Sequence, residues 1–136
     1  MKYFTILTDE GPMFDTGASK WFFLEQHLID KGVTFQKVEG FYVNAHNKKA
    51  KENAFLISYS DTQAAKMQKQ CESLARQLGQ EAVLHIENAS RAILSYVNGS
   101  DNNKWHVSRS IEYWDYQPPL DRGFTKIDNT FLVVTF

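Results

Sequence analysis

Residues 61–87 have the sequence DTQAAKMQKQCESLARQLGQEAVLHIE, in which a helical pattern passes directly into a strand pattern. Within residues 64–78, apolar side chains recur at the three- and four-residue spacing of one helix face. Asp61 is a suitable N-cap for this helix, and Gly79 is a suitable residue to end it. Residues 82–87 then alternate in the manner of a β-strand. This stretch therefore predicts an amphipathic helix that packs on a sheet.

The rest of the chain adds one more helical pattern and seven more strand patterns. The helical pattern covers residues 18–32, where Trp21, Leu24 and Leu28 share a face. The predicted element order is β-α-β-β-α-β-β-β-β-β. Two helices packed on one face of a mainly antiparallel sheet would bury both apolar stripes and leave the other sheet face available. We therefore predict a single α+β domain over residues 1–136.

Composition restricts the class of protein. The 136 residues suit one domain, and 43% hydrophobic residues are too many for a disordered chain. The net charge of −1 argues against a dedicated nucleic-acid partner, because phosphate contacts require a basic surface. Cys71 is the single cysteine, and neither a signal peptide nor a transmembrane segment is evident. We expect a cytoplasmic monomer or small homo-oligomer that does not bind a membrane.

The strand at residues 82–87 carries the first candidate for acid–base chemistry. Strict alternation places His85 and Glu87 on one face, and we expect the opposite face, with Leu84 and Ile86, to lie under the helix. A carboxylate beside an imidazole can orient it as a general base. The same pattern is typical of the solvated face of an ordinary strand.

A second candidate lies in the sequence WHVSRS, where His106 and Ser108 share a strand face. A His-x-Ser segment is half of the signature of the two-histidine phosphodiesterases, and the second copy is missing here. The alternative catalytic set is therefore His85, Glu87, His106 and Ser108. It requires both histidines to face one cleft.

We expect neither a metal nor a cofactor. The four histidines fall on different predicted elements without the short spacing of a zinc site. No glycine-rich phosphate loop is present. Cys71 lies on the apolar face of the second helix, where burial would keep the thiol protonated and inert.

An aromatic segment near residue 115 indicates a surface for binding a protein partner. Tyr113, Trp114 and Tyr116 precede two prolines, and aromatic rings rimmed by charge are typical of binding surfaces. A basic connection between two strands is the second predicted contact. Its lysines are Lys48, Lys49 and Lys51.

Three segments also resemble a known group of proteins. The pattern is Gly-x-Tyr, then Glu-x-Ala-Phe-Leu-Ile, then Gly-Gln-x-Ala-Val-Leu, and it is found in residues 40–57 and 75–87. The third segment is the ending TFLVVTF, residues 130–136. The pattern is similar to that of small bacterial and phage proteins of unknown function. Glu52 and Gln80 are the polar residues of this pattern. The resemblance implies a stand-alone accessory protein, without implying an activity or a ligand.

These observations lead to two hypotheses. The first is a small non-enzymatic interaction protein, a phage-encoded inhibitor that binds a host defence factor in the host cytoplasm. The alternative is a protein that binds a small ligand or nucleotide, or a phosphodiesterase-like enzyme that processes nucleotides. The first hypothesis uses the aromatic segment and the lysines, and the second uses the histidines.

Overall fold

The computed structural model describes residues 2–8, 17–43, 49–119 and 123–136. In this part of the chain, nine strands and two α-helices follow one another, and the 3₁₀ turn Asp61–Gln63 precedes the second helix. The elements are β1 (Lys2–Thr8), α1 (Gly17–Asp30), β2 (Phe35–Val43), β3 (Lys49–Ser60), α2 (Ala64–Gln77), β4 (Ala82–Asn88), β5 (Arg91–Tyr96), β6 (Trp105–Val107), β7 (Ser110–Trp114), β8 (Phe124–Ile127) and β9 (Thr130–Thr135).

All nine strands belong to one sheet, in the order β6-β5-β4-β1-β3-β2-β8-β9-β7, and each described pairing is antiparallel. The two edge strands, β6 and β7, are consecutive in the chain, with Ser108 and Arg109 between them. Two linking residues can span at most about 11 Å. The two edges of the sheet must therefore lie close together, which requires the sheet to curl.

The linking residues are bonded to both sides of this junction. The Ser108 N–H donates to the Ala92 carbonyl at 2.9 Å, and the Ala92 N–H donates to Ser108 Oγ at 2.9 Å. The Arg109 N–H donates to the Thr135 carbonyl at 2.6 Å. Ser108 is thus hydrogen-bonded to β5, and the next residue, Arg109, is hydrogen-bonded to β9.

The predicted fold class is wrong. Strands contain 49% of the described residues and helices 24%, and the sheet is a curled half-barrel instead of an open sheet with two helices on one face. The face that we expected to remain available is buried by the curl. Strand patterns alone did not reveal the curl, because it depends on which strands lie at the two edges of the sheet.

The convex face of the sheet is covered by the helices. Leu24 and Leu28 of α1 and Leu74 of α2 pack in one buried cluster with Phe55 and Ile57 of β3. We call this cluster the helix-side core. It also contains Leu7, Tyr59, Cys71, Ala75, Leu78, Val83 and Val97.

The concave face has a core of its own. Ile6 of β1 and Leu56 of β3 are buried there together with residues from strands far apart in the sheet order, such as Ala92 of β5 and Leu132 of β9. Side chains alternate along a strand, so β1 contributes Ile6 to this concave core and Leu7 to the helix-side core. Burial on both faces explains why the central strands are so apolar.

Two strand boundaries differ from the predictions. The expected long strand at residues 105–116 is divided into β6 and β7 at the link between the sheet edges. Strand β3 begins at Lys49, so Lys49 and Lys51 lie in a strand that pairs with β2, not in a loop. Lys48 lies outside the described residues.

The faces of β4 are the reverse of those predicted. Val83 belongs to the helix-side core, whereas Ile86 is in the concave core and Leu84 packs against it. His85 therefore points to the side that carries α2. Over the described part of the chain, no helix has the length and apolar character needed to cross a membrane.

The packing of Phe55 provides a test of the helix-side core. Phe55 is fully buried, and its ring meets that of Phe35 edge-on with centroids 5.5 Å apart. We expect Phe55→Ala to lower the free energy of unfolding by about 3–5 kcal/mol, because it leaves a cavity that the sheet cannot close. Urea denaturation measures the loss. The exposed Phe136 supplies the control variant Phe136→Ala, and an equal loss in both would contradict this account of the core.

Candidate functional site

A chain of buried polar side chains crosses three strands beneath α2. The hydroxyl of Thr5 on β1 lies 2.7 Å from the Tyr59 hydroxyl on β3 and 2.8 Å from Nδ1 of His85 on β4. Thr5 and His85 are direct cross-strand partners, which places both side chains on the same face. All three residues are buried. One threonine hydroxyl therefore connects three strands.

The other ring nitrogen of His85 faces α2. Its Nε2 has no hydrogen-bond partner among the residues that the structure describes, and it lies 3.6 Å from Glu72 Oε2. The His85 side chain is only 4% exposed, whereas that of Glu72 is 30% exposed. Glu72 thus links the buried chain to the surface of the protein.

Burial keeps the acidic groups of this chain protonated. It raises the pKa of Tyr59, although hydrogen bonds with Thr5 and Gln68 oppose the shift. Burial also raises the pKa of the Cys71 thiol to about 12, against a smaller opposing effect of a hydrogen bond with Thr5. The predicted burial of Cys71 is confirmed, and its raised pKa favours the protonated thiol. Tyr59, Thr5 and His85 connect the strands beneath α2.

The structure does not bring the alternative catalytic set together. Leu94 pairs with Leu84 on one side and with His106 on the other, so His106 lies on the concave side, opposite to His85. The His106 ring packs against Tyr96, with centroids 5.7 Å apart. Because the two histidines lie on opposite faces of the sheet, they cannot face one cleft.

The other two members of that set have partners of their own. Glu87 lies 3.5 Å from Nε of Arg91 across the β4–β5 turn. The Ser108 hydroxyl accepts the Ala92 N–H at the link between the sheet edges. Sequence reasoning did not identify Thr5, Tyr59 and Glu72. The available signal was a threonine in the apolar alternation of β1, which indicates a polar partner on a neighbouring strand.

The predicted partner surface is only partly described. Tyr113 and Tyr116 are exposed, and the Trp114 ring is half-buried against Tyr116 with centroids 5.3 Å apart. Strand β7 carries Tyr113 and Trp114 at the edge of the sheet. Contact of this surface with a host protein stays a prediction.

A second polar feature lies where α2 ends and β4 begins. Gly79 adopts a φ of 74°, a conformation that favours glycine and ends the helix. The next residue, Gln80, is only 1% exposed. Its N–H donates to the Ala75 carbonyl at 2.9 Å, and its carbonyl accepts from Nδ2 of Asn98 at 2.6 Å. Gln80 is therefore a fixed, buried residue at one end of the sheet.

Glu52 occupies the same end of the sheet. On β3, Glu52 pairs with Gly40 and is two residues from Ala54, the residue that pairs with Thr8 of β1. On the other side of β1, the β1–β4 register places Ala82 level with Thr8 when it is continued by two residues. Gln80 is two residues from Ala82, in the same direction along the sheet as Glu52 is from Ala54. One strand separates β3 from β4, so the backbones of these two strands are about 10 Å apart. The two polar residues of the sequence pattern thus lie at matching levels across β1.

Histidine, cysteine, aspartate and glutamate side chains do not form a group of three or more that could hold a metal ion within the described ranges. The residue types that the sequence places at this end of the sheet, glutamate at 52 and glutamine at 80, suit a polar or cationic organic ligand.

The central role of Thr5 can be tested with Thr5→Val. The change leaves the Tyr59 hydroxyl and the His85 imidazole without their shared partner, and we expect a loss of about 1–3 kcal/mol in the free energy of unfolding. The matched control is Thr62→Val, whose exposed hydroxyl meets Ser60 Oγ at 3.0 Å. Denaturant titration compares the two. A loss no larger for Thr5 than for Thr62 would contradict the role of the buried chain.

The raised pKa of Cys71 predicts a loss of stability at alkaline pH. Its thiol ionises near its ordinary pKa of 9.0 in the unfolded chain but only near 12 in the fold. The stability that it contributes is complete below about pH 9 and declines as the pH rises toward 12, because only the unfolded chain then loses the proton.

Urea denaturation at about pH 8 and about pH 10.5 measures this decline. We expect Cys71→Ala to reduce it and to leave a smaller decline from Tyr59, whose pKa is raised in the same direction. Equal declines in the two proteins would show that Cys71 does not contribute.

Comparison with known proteins adds a finding that the geometry alone does not provide. No curated protein matches this sequence. A family model described as the S-Adenosylmethionine lyase family matches residues 21–133, which include both Glu52 and Gln80. Lyases are enzymes, so the hypothesis of a non-enzymatic phage inhibitor is wrong, and the phosphodiesterase-like alternative has no support. The chain belongs to the S-adenosylmethionine lyase family.

Proposed function

We propose that this protein is an enzyme that cleaves S-adenosylmethionine. The observation that supports the proposal is the match of the family model to residues 21–133, more than four-fifths of the chain. A lyase breaks a bond without water and without oxidation or reduction. In this substrate, the bonds suited to such cleavage are those between carbon and the positively charged sulfur, because the sulfur leaves as a neutral thioether.

The substrate carries its own nucleophile for this cleavage. Attack of its carboxylate on its own γ-carbon forms a carbon–oxygen bond and breaks the carbon–sulfur bond, and the electron pair of that bond goes to sulfur. The products are a five-membered lactone of the amino acid and 5′-methylthioadenosine. No proton enters or leaves, so the reaction needs no general base. A separated pair of histidines is compatible with this chemistry.

The protein then contributes geometry and environment. It must hold the amino-acid chain folded back on itself, with the carboxylate in line with the bond that breaks. It must also limit access of water, because a negative carboxylate and a positive sulfonium are both neutralised in the transition state. A site at the end of a curled sheet with an apolar core on each face suits both requirements.

We assign substrate binding to Glu52 and Gln80. A carboxylate attracts the sulfonium and ammonium groups of the substrate, and a glutamine amide can donate to its carboxylate. The matching levels of the two residues across β1 and the burial of Gln80 support this assignment. These are also the two polar residues of the pattern in residues 40–57 and 75–87.

The decisive experiment is incubation of the purified protein with S-adenosylmethionine, with products identified by liquid chromatography and mass spectrometry. We expect equimolar 5′-methylthioadenosine and amino-acid lactone. In water labelled with ¹⁸O, the lactone contains no label, which excludes hydrolysis. An unsaturated amino acid would instead indicate elimination with loss of a proton. Failure to consume the substrate in a folded preparation would overturn the proposed function.

Variants test the assignment of residues separately from the function. We expect Glu52→Gln and Gln80→Ala to lower kcat/KM by about 100-fold or more, the size of effect seen when one polar group is removed from a transition-state site. The controls are Glu112→Gln on β7 and Gln77→Ala on the exposed side of α2. Thermal unfolding shows whether each variant folds. Full activity in both site variants would refute these roles while the cleavage reaction stood.

A further inference from the structure

A groove lies between α2 and the strands β5 and β6 near one edge of the sheet, with a cavity volume of about 290 Å³. We call it the α2 groove. Its walls include Glu72, Arg76, Ser95, Tyr96, Lys104 and Trp105. This volume is close to the lower limit for small-molecule sites, so it suits a ligand of the size of a nucleoside.

One wall is an aromatic ring. Trp105 begins the edge strand β6, pairs with Ser95, and is 65% exposed. An indole ring that lies open beside a cavity presents a flat surface on which a planar base can stack. The polar rim around it provides the hydrogen-bonding groups that orient such a ligand.

The opposite wall carries a carboxylate and a guanidinium group one helical turn apart. Glu72 and Arg76 are separated by four residues on α2, so their side chains lie on the same helix face. Nε of Arg76 donates to the Val97 carbonyl at 3.1 Å, which fixes the guanidinium beside the groove. Ribose hydroxyls commonly donate to a carboxylate in nucleotide sites, and Glu72 supplies a carboxylate in this groove.

A buried group that lacks a partner points toward this wall. His85 Nε2 has no hydrogen-bond partner among the described residues, and the Glu72 carboxylate is 3.6 Å away. Buried polar atoms rarely remain unpaired. A small movement of Glu72 as it binds a ligand would bring Oε2 within hydrogen-bond distance of His85 Nε2. The ligand and His85 would then both bind the Glu72 carboxylate.

The groove also adjoins Gln80, one of the two residues assigned to substrate binding. Nδ2 of Asn98 donates to the carbonyls of both Arg76 and Gln80, at 3.2 Å and 2.6 Å. The Arg76 end of the groove therefore lies next to the Gln80 junction. A molecule held in the groove could extend toward that junction.

We infer that the α2 groove binds a purine nucleoside, the adenosyl group of the substrate and of the thioether product. The base stacks on Trp105, and the ribose hydroxyls donate to Glu72. This inference rests on the proposed function for the identity of the nucleoside, and its geometric support is independent of the cleavage step.

Calorimetric titration with 5′-methylthioadenosine tests the inference without any need for turnover. We expect Trp105→Ala to raise Kd at least 10-fold, because loss of one base–aromatic stack has an effect of that order. Trp105→Phe retains a flat ring and should stay within about threefold of the original Kd. We also expect Glu72→Gln to weaken binding at least fivefold for the nucleoside and much less for free adenine, which lacks the ribose.

Matched controls come from the opposite edge of the sheet. Trp114→Ala and Glu112→Gln on β7 should leave Kd within about twofold, and thermal unfolding confirms that each variant is folded. Failure of the original protein to bind the nucleoside, or an unchanged Kd in both Trp105→Ala and Glu72→Gln, would overturn the inference.

The binding result and the cleavage result can fail separately. The protein could cleave S-adenosylmethionine while Trp105→Ala and Glu72→Gln leave the Kd for 5′-methylthioadenosine unchanged. That result would leave the proposed function standing and eliminate the groove as the nucleoside site. Binding that depends on both residues, without cleavage of S-adenosylmethionine, would support the groove and overturn the proposed function.

Discussion

The two-residue connection between β6 and β7 is the constraint on which the rest of the structure depends. Ser108 is bonded to β5 and Arg109 to β9, so the chain joins the two edges of a nine-stranded sheet within about 11 Å. A flat sheet of nine strands would separate those edges by eight strand spacings, roughly 38 Å. The connection therefore requires the curl, and the curl creates the concave core. Burial of both faces follows from it.

Strand β1, next to the central strand β3, contributes to both cores because its side chains alternate. Ile6 enters the concave core, and Leu7 enters the core beneath the helices. Thr5 is the exception on the helix side, where its hydroxyl connects Tyr59 and His85. A buried polar group destabilises a fold unless it is hydrogen-bonded, so this set of residues must be aligned correctly for α2 to pack. Burial raises the pKa values of Tyr59 and Cys71 and so favours their protonated forms. His85 contacts Glu72, whose side chain is partly exposed at the surface.

This arrangement separates the stable part of the molecule from the part proposed to be reactive. The buried chain under α2 holds strands and helix together, while Glu52 and Gln80 lie at one end of the sheet. Cleavage of S-adenosylmethionine by its own carboxylate requires that the carboxylate be positioned and that water be excluded from the site. It does not require a strong base. A curled sheet with a packed core on each face can meet both requirements. Asn98 connects the Gln80 junction with the α2 groove, so base recognition and bond cleavage would take place in neighbouring parts of one surface.

Local sequence patterns by themselves determined the two helices, most of the strands and the burial of Cys71, because these depend on spacing within a few residues. Glu52 and Gln80 stood out only through a resemblance to other proteins, which implied no role for either residue. Tertiary structure alone decided the curl, the faces of β4 and the partners of His85. The two-residue alternation of a β-strand places His85 and Glu87 on one face, but it does not determine which face packs against a helix. Cross-strand register determines that. Register and edge closure join residues that are far apart in the chain, such as Thr5 and His85, and no local pattern contains that information.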